Sequence, residues 1–213
     1  NETNPCKDIH NFLNNKNKLI KFSKKETEFA EETLNKLNIG QDDRIVCVSS
    51  RTSSWKNEIF KCVRNSNINN MAKSIKYLGD KNYKVVLIGD SYEPSEELKN
   101  LKNVIFYSNS KQKTGLLDFY LISKSKFLIS NVSGIGQIAI MMRKPRLITN
   151  YLSLEQAYTE EEKFNVLIIP KKVKVVKDGK YLNYIDIIKK GFTKISYEEK
   201  MLSLGYKIYE NSQ

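Results

Sequence analysis

Apolar residues are distributed along the chain in two rhythms. Six short runs rich in β-branched residues read as buried strands: RIVCVSS (44–50), KVVLIGD (84–90), NVIFYS (103–108), KFLIS (126–130), PRLITNY (145–151) and VLIIP (166–170). Between them the period changes to that of a helix. Ser23 with Glu26 three places later forms a capping-box signature, and Phe29, Ala30, Thr33, Leu34 and Leu37 follow at helical spacing until Gly40. Ile68, Met71, Ile75 and Leu78 share one helical face, with Gly79 near its end. PSEELKNLKN predicts a short helix or turn, and GLLDFYLISKS (115–125) and GQIAIMMRK (136–144) predict two more helices. The last stretch, from YLNYIDIIKK to the end, reads as mostly helical.

Strands that alternate with helices at this spacing indicate an α/β fold, a mainly parallel sheet flanked by helices. Helical crossovers bury both faces of such a sheet, which accounts for strands that are continuous apolar runs rather than alternating ones. The expected organisation is a lead-in and helix over 1–39, a sheet domain over 40–172 and a helical tail over 173–213 packing on that domain. No repeat of fixed period is visible.

Composition narrows the function classes. The 213 residues are 40% hydrophobic and 28% charged, as in ordinary globular chains. No apolar run approaches the roughly 20 residues that span a bilayer. The chain starts at Asn1, which suggests one domain of a longer protein. Three cysteines, Cys6, Cys47 and Cys62, show no metal-ligand spacing and read as reduced thiols of a cytoplasmic protein. His10 is the only histidine and sits in a polar stretch, which argues against a histidine-based dyad or a multi-histidine metal site. The net charge of +12 suits an anionic partner, but the lysines are scattered and a solvated surface explains them equally. No nucleic-acid-binding motif accompanies the charge, so no specific nucleic acid is expected.

Candidate chemistry concentrates at the strand ends. In an open α/β sheet, ligands bind beyond the carboxyl ends of the strands. There the run KFLIS gives way to Asn131-Val-Ser133-Gly134-Ile-Gly136 before the next helix. Two readings stand. In one, the two glycines of this knot, Gly134 and Gly136, take φ values that other residues avoid and bring the backbone close to an anion that the first helical turn and the Ser133 hydroxyl bind. In the other, the segment is a tight turn capped by Ser or Asn. It matches neither the P-loop nor the Rossmann glycine fingerprint. Other tips share the same edge: Arg51 after the first strand, suited to bidentate contact with a diphosphate, Gly89 and Asp90 after the second, Tyr107 and Ser108 after the third. Asp118 in the first turn of a helix suits the helix dipole as well as a ligand. Arg64, Asn65 and Asn67 precede the Ile68 helix and either reach the crevice or cap that helix.

The order of these segments resembles the carboxyl-terminal half of a family of bacterial surface-polysaccharide glycosyltransferases, with a GT-B-like, fucosyltransferase-like nucleotide-sugar domain. The resemblance runs over residues 40–172 and rests on VCVSSR (46–51), RNSNINNMAKSIKYLGDKNYKVVLIGD (64–90), NVIFYSNS (103–110), LLDFYLISKSKFLISNVSGIGQIAIMMRKPRLITNY (116–151) and LIIPK (167–171). It implies a Rossmann-like domain that binds a nucleotide-diphospho sugar and passes the sugar to a glycan or lipid-linked acceptor. It implies that Arg51, Ser133, Gly134 and Gly136 hold the donor diphosphate, with Arg64, Asn65, Asn67, Gly89, Asp90, Tyr107, Ser108, Asp118 and Asn131 around the nucleoside and sugar. No cofactor and no metal are expected, since arginines and helix N-termini take the cation's place. Acceptor binding and the general base would belong to a separate amino-terminal domain. The implied location is the cytoplasm, with peripheral attachment at the inner membrane face as a further expectation. One departure stands out: where the family pattern has a histidine two places before the strand-end arginine, this chain has Ser49. That change favours the alternative of a non-catalytic sugar-nucleotide or partner-binding domain.

Overall fold

In the computed structural model, residues 19–52, 61–152 and 165–211 are described. The runs read as strands assemble as β1 (Arg44–Ser49), β2 (Tyr83–Leu87), β3 (Val104–Ile105), β4 (Leu128–Ser130), β5 (Arg146–Tyr151) and β6 (Val166–Pro170). They form one six-stranded sheet in the order β3-β2-β1-β4-β5-β6, with every pairing parallel. From β1 the chain builds outward to β3, then returns to the centre and builds from β4 outward to β6. The direction therefore reverses between β1 and β4, and the crossover loops part above that point. This is a Rossmann-like α/β arrangement.

Side-chain alternation along each strand divides the core into two layers. Cys47, Val86 and Leu128 face helices α1 (Lys24–Lys36), α4 (Gly115–Lys124) and α5 (Gly134–Met141), which contribute Ala30, Leu34, Leu121 and Ala139. Val46, Val48, Val85 and Leu87 face the opposite way, against Ile75 and Leu78 of α2 (Ala72–Asp80) and Leu98 of α3 (Glu96–Lys99). The capping box at Ser23 and Glu26 is formed in both directions, and fixes where α1 starts. A 3-10 turn, Ile68–Met71, capped by Asn67, leads into α2.

Several strands follow residues in left-handed backbone, where a non-glycine is costly unless a short amide side chain eases it. Asn82, Asn103 and Asn165, at φ 60°, 62° and 51°, stand immediately before β2, β3 and β6. Asparagine thus does at these turns what glycine does in most chains.

Three expectations need correction. The third strand is two residues long, because the chain folds into a 3-10 turn at Tyr107–Asn109 that drives Tyr107 inward. The helix after β4 begins at Gly134, so both glycines of the knot are helical and neither has the left-handed φ that would require glycine. The tail is not mostly helical. Strands β7 (Lys172–Val175) and β8 (Tyr206–Tyr209) pair antiparallel, and the short helices α6 (Tyr184–Lys189) and α7 (Glu198–Ser203) lie between them. The segment Lys-Val-Lys-Val has a strand's period of two: Val173 is buried, while Lys172 is exposed. This carboxyl-terminal unit has its own small core of Val173, Ile187, Phe192 and Met201, joined by Val63 and Leu152 from the main domain. No helix among the described residues is long and apolar enough to cross a membrane. His10 and Cys6 lie outside the described residues, and Cys47 and Cys62 are free and buried.

Candidate functional site

The reversal between β1 and β4 opens a cavity of about 320 Å³. Four chain segments meet there. The end of β1 supplies Ser49, Ser50 and Arg51; the loop after β2 supplies Gly89 and Asp90; the loop before the 3-10 turn supplies Arg64; the start of α5 supplies Ser133, Gly134 and Ile135. Of the residues singled out in the sequence, Arg51, Arg64, Gly89, Asp90, Ser133 and Gly134 therefore come together, from positions up to 83 residues apart (134 − 51).

The floor is rigid. Gly89 has φ +89°, and a Cβ there would stand 2.8 Å from Ser49 Oγ and 3.0 Å from Ile135 Cδ1. Only glycine fits both the torsion and the space. Beneath it Tyr92 ties the two central strand ends: its hydroxyl donates to the Ile88 carbonyl at 2.6 Å and accepts from the Ser50 N–H at 2.8 Å. Burial pushes its phenol up to about 12.

Asn131 is the hub of the wall. Its Oδ1 accepts from the Arg51 N–H at 2.8 Å, and its Nδ2 donates to the Arg64 carbonyl at 2.6 Å and to Ser66 Oγ at 3.2 Å. It is 1% exposed, so it fixes both arginine backbones from behind and is absent from the cavity lining. The Arg51 guanidinium donates through Nη1 to Asn65 Oδ1. Thr52 donates through its N–H and its hydroxyl to Asp90 Oδ2, at 3.2 Å each.

Those two contacts form a partition. On its far side is a second, larger cleft of about 710 Å³, lined by Asn65, Asn67, Asn70, Glu93 and Glu210 among others. The expected pocket is thus two spaces, with Asn65 and Asn67 facing the larger one. The charge differs as well. The smaller space holds Arg51 and Arg64 against one carboxylate, Asp90; the larger holds Lys61 against Glu93 and Glu210.

Helix α5 completes the smaller space. The Gly136 N–H turns back to the Ser133 carbonyl at 3.1 Å, which leaves the Gly134 and Ile135 amides at the positive dipole end of the helix. Ser133 occupies the cap position, yet its side chain makes no capping bond, and its Oγ is buried without a hydrogen-bond partner. A Cβ at Gly134 would meet nothing within 4 Å, so the space before this helix end is open. A tetrahedral anion placed there would meet backbone N–H groups, a hydroxyl and an arginine.

Besides Asn131, four sequence candidates lie outside both spaces. Gly136 is on the buried face of α5, where a Cβ would touch Arg146 Nη1 at 3.5 Å and Ser130 Oγ at 3.7 Å. Tyr107 is 0% exposed, and its hydroxyl bridges the N–H and carbonyl of Thr114, the cap of α4. Ser108 is 2% exposed and donates to Asn109 Oδ1. Asp118 lies in the first turn of α4 with Oδ1 buried and unpartnered. Burial pushes its carboxyl up to about 6, and Lys113 pulls the other way. Lys113 itself donates to the Gly89 carbonyl at the cavity rim, a cation that sequence reasoning passed over.

The carboxyl-terminal unit was expected only as a helical tail packing on the domain, yet it also shapes the site. Val63 donates its N–H to the Ser196 carbonyl, Lys61 donates its N–H to Glu199, and Glu210 Oε2 accepts from Asn67 N–H and Asn70 Nδ2 at 2.8 Å each. The loop that carries Arg64, Asn65 and Asn67 is thus held at its two ends by residues 196–210, and at 64–66 by Asn131, Ser50 and Arg51. Nothing in the sequence pattern signalled the contacts with 196–210, which join positions more than 130 residues apart.

No family model matches the sequence, and no curated protein matches it. Solved structures similar to this chain include ADP-heptose lipopolysaccharide heptosyltransferase II of E. coli, at 15% identity and TM-score 0.49 over 82% of this chain and 51% of that one. A glycosyl transferase family 9 protein from Veillonella parvula matches at 14% identity and TM-score 0.49, over 71% and 42% of the two chains. The UDP-GlcNAc 2-epimerase of Neisseria meningitidis, bound to UDP-GlcNAc, matches at 16% identity and TM-score 0.46, over 79% and 39%. The chain spans about two fifths to one half of the length of these proteins.

Proposed function

We propose that this chain is the donor-binding part of a glycosyltransferase, which takes a nucleotide-diphospho sugar and passes the sugar to a glycan or lipid-linked acceptor. The observation that carries the reading is the smaller cavity at the reversal of the sheet. Two arginines, an open helix N-terminus and an unpartnered serine hydroxyl converge there on a space that suits a diphosphate.

The chemistry follows from the leaving group. As the bond from the sugar to the β-phosphate breaks, negative charge grows on the departing nucleoside diphosphate. Donors fixed in advance around that charge stabilise the transition state more than the ground state. Arg51 is the principal donor, held by Asn65 and Asn131. Ser133 and the first amides of α5 take the other phosphoryl group, and Arg64 closes the open side. Gly89 keeps the floor low enough for the donor to enter. In this reading the fixed cations and the helix end supply the charge that a metal would otherwise bring. The acceptor and the general base come from residues beyond this chain.

Calorimetry with GDP, UDP, ADP and CMP at fixed salt, with and without a chelator, tests the reading. One nucleoside diphosphate is expected to bind in the micromolar range. Arg51→Ala is expected to weaken it by about 2–3 kcal/mol, as loss of a charge-assisted contact does, with the fold intact. Equal affinity in the variant would remove Arg51 from the site, and abolition by the chelator would remove the metal-independent account. A polynucleotide competitor is expected to lose affinity steeply with salt, and the mononucleotide much less.

A second reading keeps the binding and drops the turnover. Ser49, at the position of the family's histidine, is 3% exposed, and Asp90 is engaged by Thr52. Neither offers a free base to the cavity. Single-turnover assays with the acceptor-binding half supplied separate the two: binding without sugar transfer selects the second.

A further inference from the structure

Lys171 stands between β6 and β7 with its side chain 0% exposed. A fully buried ammonium is costly in a protein interior unless it is paired and hydrogen-bonded. Here it has two partners. Nζ donates to the backbone carbonyl of Asn65 at 2.8 Å and lies 3.7 Å from Glu198 Oε1. Glu198 in turn sits 3.0 Å from Lys61 Nζ and donates its own N–H to the Lys61 carbonyl at 2.9 Å. Asn65 accepts from Arg51. A continuous line therefore runs from α7 through Glu198, Lys171 and Asn65 to the guanidinium in the small cavity.

The two ends of Asn65 do different jobs. Its carbonyl is gripped by Lys171 and its side-chain oxygen grips Arg51. Moving the backbone at residue 65 therefore moves the acceptor that aims Arg51. On either side of it Asn131 holds the Arg64 carbonyl, and Ser50 and Arg51 hold Ser66, while Lys171 donates to the Asn65 carbonyl itself. An apolar side chain at 171 would fill the same space without the ion's desolvation cost, but it would leave the Asn65 carbonyl without this donor.

We propose that Lys171 is a positioning residue for Arg51, coupling the carboxyl-terminal unit to the anion-binding cavity through the Asn65 carbonyl. The proposal rests on the donor-site reading for what Arg51 holds, but the placement of Arg51 is measurable without any ligand. Lys171 touches no ligand itself. It sets the angle and rigidity of the arginine that does.

The test uses the whole chain and the Lys171→Met variant, with two readouts. The first is affinity for the nucleoside diphosphate that the wild type prefers, against affinity for the same nucleoside without phosphates. Lys171→Met is expected to raise the Kd of the diphosphate about tenfold, the scale of one charge-assisted contact, and to leave the nucleoside unchanged. A general loosening would weaken both alike, and that result overturns the proposal. The second readout is the rate at which phenylglyoxal modifies Arg51 relative to Arg64, mapped by mass spectrometry. Arg51 is 8% exposed, and its release from Asn65 is expected to raise its relative rate about tenfold. An unchanged ratio overturns the proposal whatever the nucleotides do. If the wild type binds no diphosphate while the ratio rises, the positioning role stands and the donor-site reading falls. Should Lys171→Met fail to fold, Glu198→Gln takes its place; a folded Glu198→Gln protein with wild-type Arg51 reactivity overturns the proposal.

Discussion

Individual residues at this site are constrained in ways that make opposite predictions for outwardly similar changes. Gly89 has a positive φ and two atoms within 3.0 Å of a prospective Cβ, on Ser49 and Ile135. Gly89→Ala is therefore expected to destabilise by about 2–3 kcal/mol and to shrink the cavity, lowering both the melting temperature and nucleotide affinity. Gly134→Ala meets open space and a helical torsion, so its expected cost to stability is near zero. Asp118 shows a different constraint. Burial raises its carboxyl to about 6, above the ordinary aspartate value. Between about pH 4 and pH 6 the folded state holds the proton more tightly than the unfolded state, so stability falls as pH rises through that window. Above it the charged carboxylate costs stability. The full shift corresponds to about 3 kcal/mol, and because the group is partly open to water about 1 kcal/mol is the expected net effect. Asp118→Asn is thus expected to melt higher than wild type at pH 8 and at the same temperature at pH 4. An equal gain at both pH values would mean that the ionised carboxylate is not the cause. In the sequence Asp118 is an ordinary first-turn acid, and only the packing around it distinguishes it.

At the level of elements, what was legible followed from period and what was not followed from partners. The central strands are continuous β-branched runs, and their position and parallel pairing could be anticipated from the alternation with helices, though not their order in the sheet. The helix α1 start was written in Ser23 and Glu26, which close on each other in space. The third strand was misjudged because NVIFYS has a strand's composition throughout, whereas the Tyr107 hydroxyl finds both its partners at Thr114 only if the chain turns early. The tail was misjudged because its β7 strand alternates lysine with valine, and a four-residue alternation among lysines gives a faint signal beside the longer apolar run of α6. The knot was read as a strand-to-helix turn at the carboxyl edge of the sheet, which the structure shows, but its glycines were expected at φ values that they do not adopt. A contrast between two serines tests the corrected account. Ser23 caps α1 through its side chain, and Ser23→Ala is expected to cost about 1 kcal/mol. Ser133 occupies the same cap position on α5 but makes no such bond. Ser133→Ala is expected to leave the melting temperature unchanged and to weaken binding of a nucleoside diphosphate. A loss of stability equal to that of Ser23→Ala would return Ser133 to the role of a plain cap.

The whole molecule couples its two cores through one loop. Residues 61–67 carry Arg64, Asn65 and Asn67 and are fixed from two sides: Asn131 and Ser50 hold 64–66, while in the carboxyl-terminal unit Cys62 bridges to Tyr197, Val63 packs in the unit's core, and Asn67 is held by Glu210. Stability of the small core should therefore be felt in the cavity through this loop. Phe192 is buried there against Tyr206, with ring centroids 4.6 Å apart, and lines neither cavity. Phe192→Ala removes an aromatic ring from a core of few residues, an expected cost of about 3 kcal/mol. Because that core is small, the cost should be met by local opening before global unfolding. Hydrogen exchange is expected to quicken across 61–67 and 172–211 while β1, β2 and β4 keep their protection, and nucleoside diphosphate affinity should fall with it. Leu121→Ala, a comparable truncation between α4 and the sheet, should instead lower the global melting temperature without singling out the loop. If both variants loosened 61–67 equally, the two cores would be one cooperative unit, and the carboxyl-terminal segment would support the site only as part of the general fold. A selective response to Phe192→Ala would identify the small core as the element whose folding assembles the arginine-bearing side of the cavity.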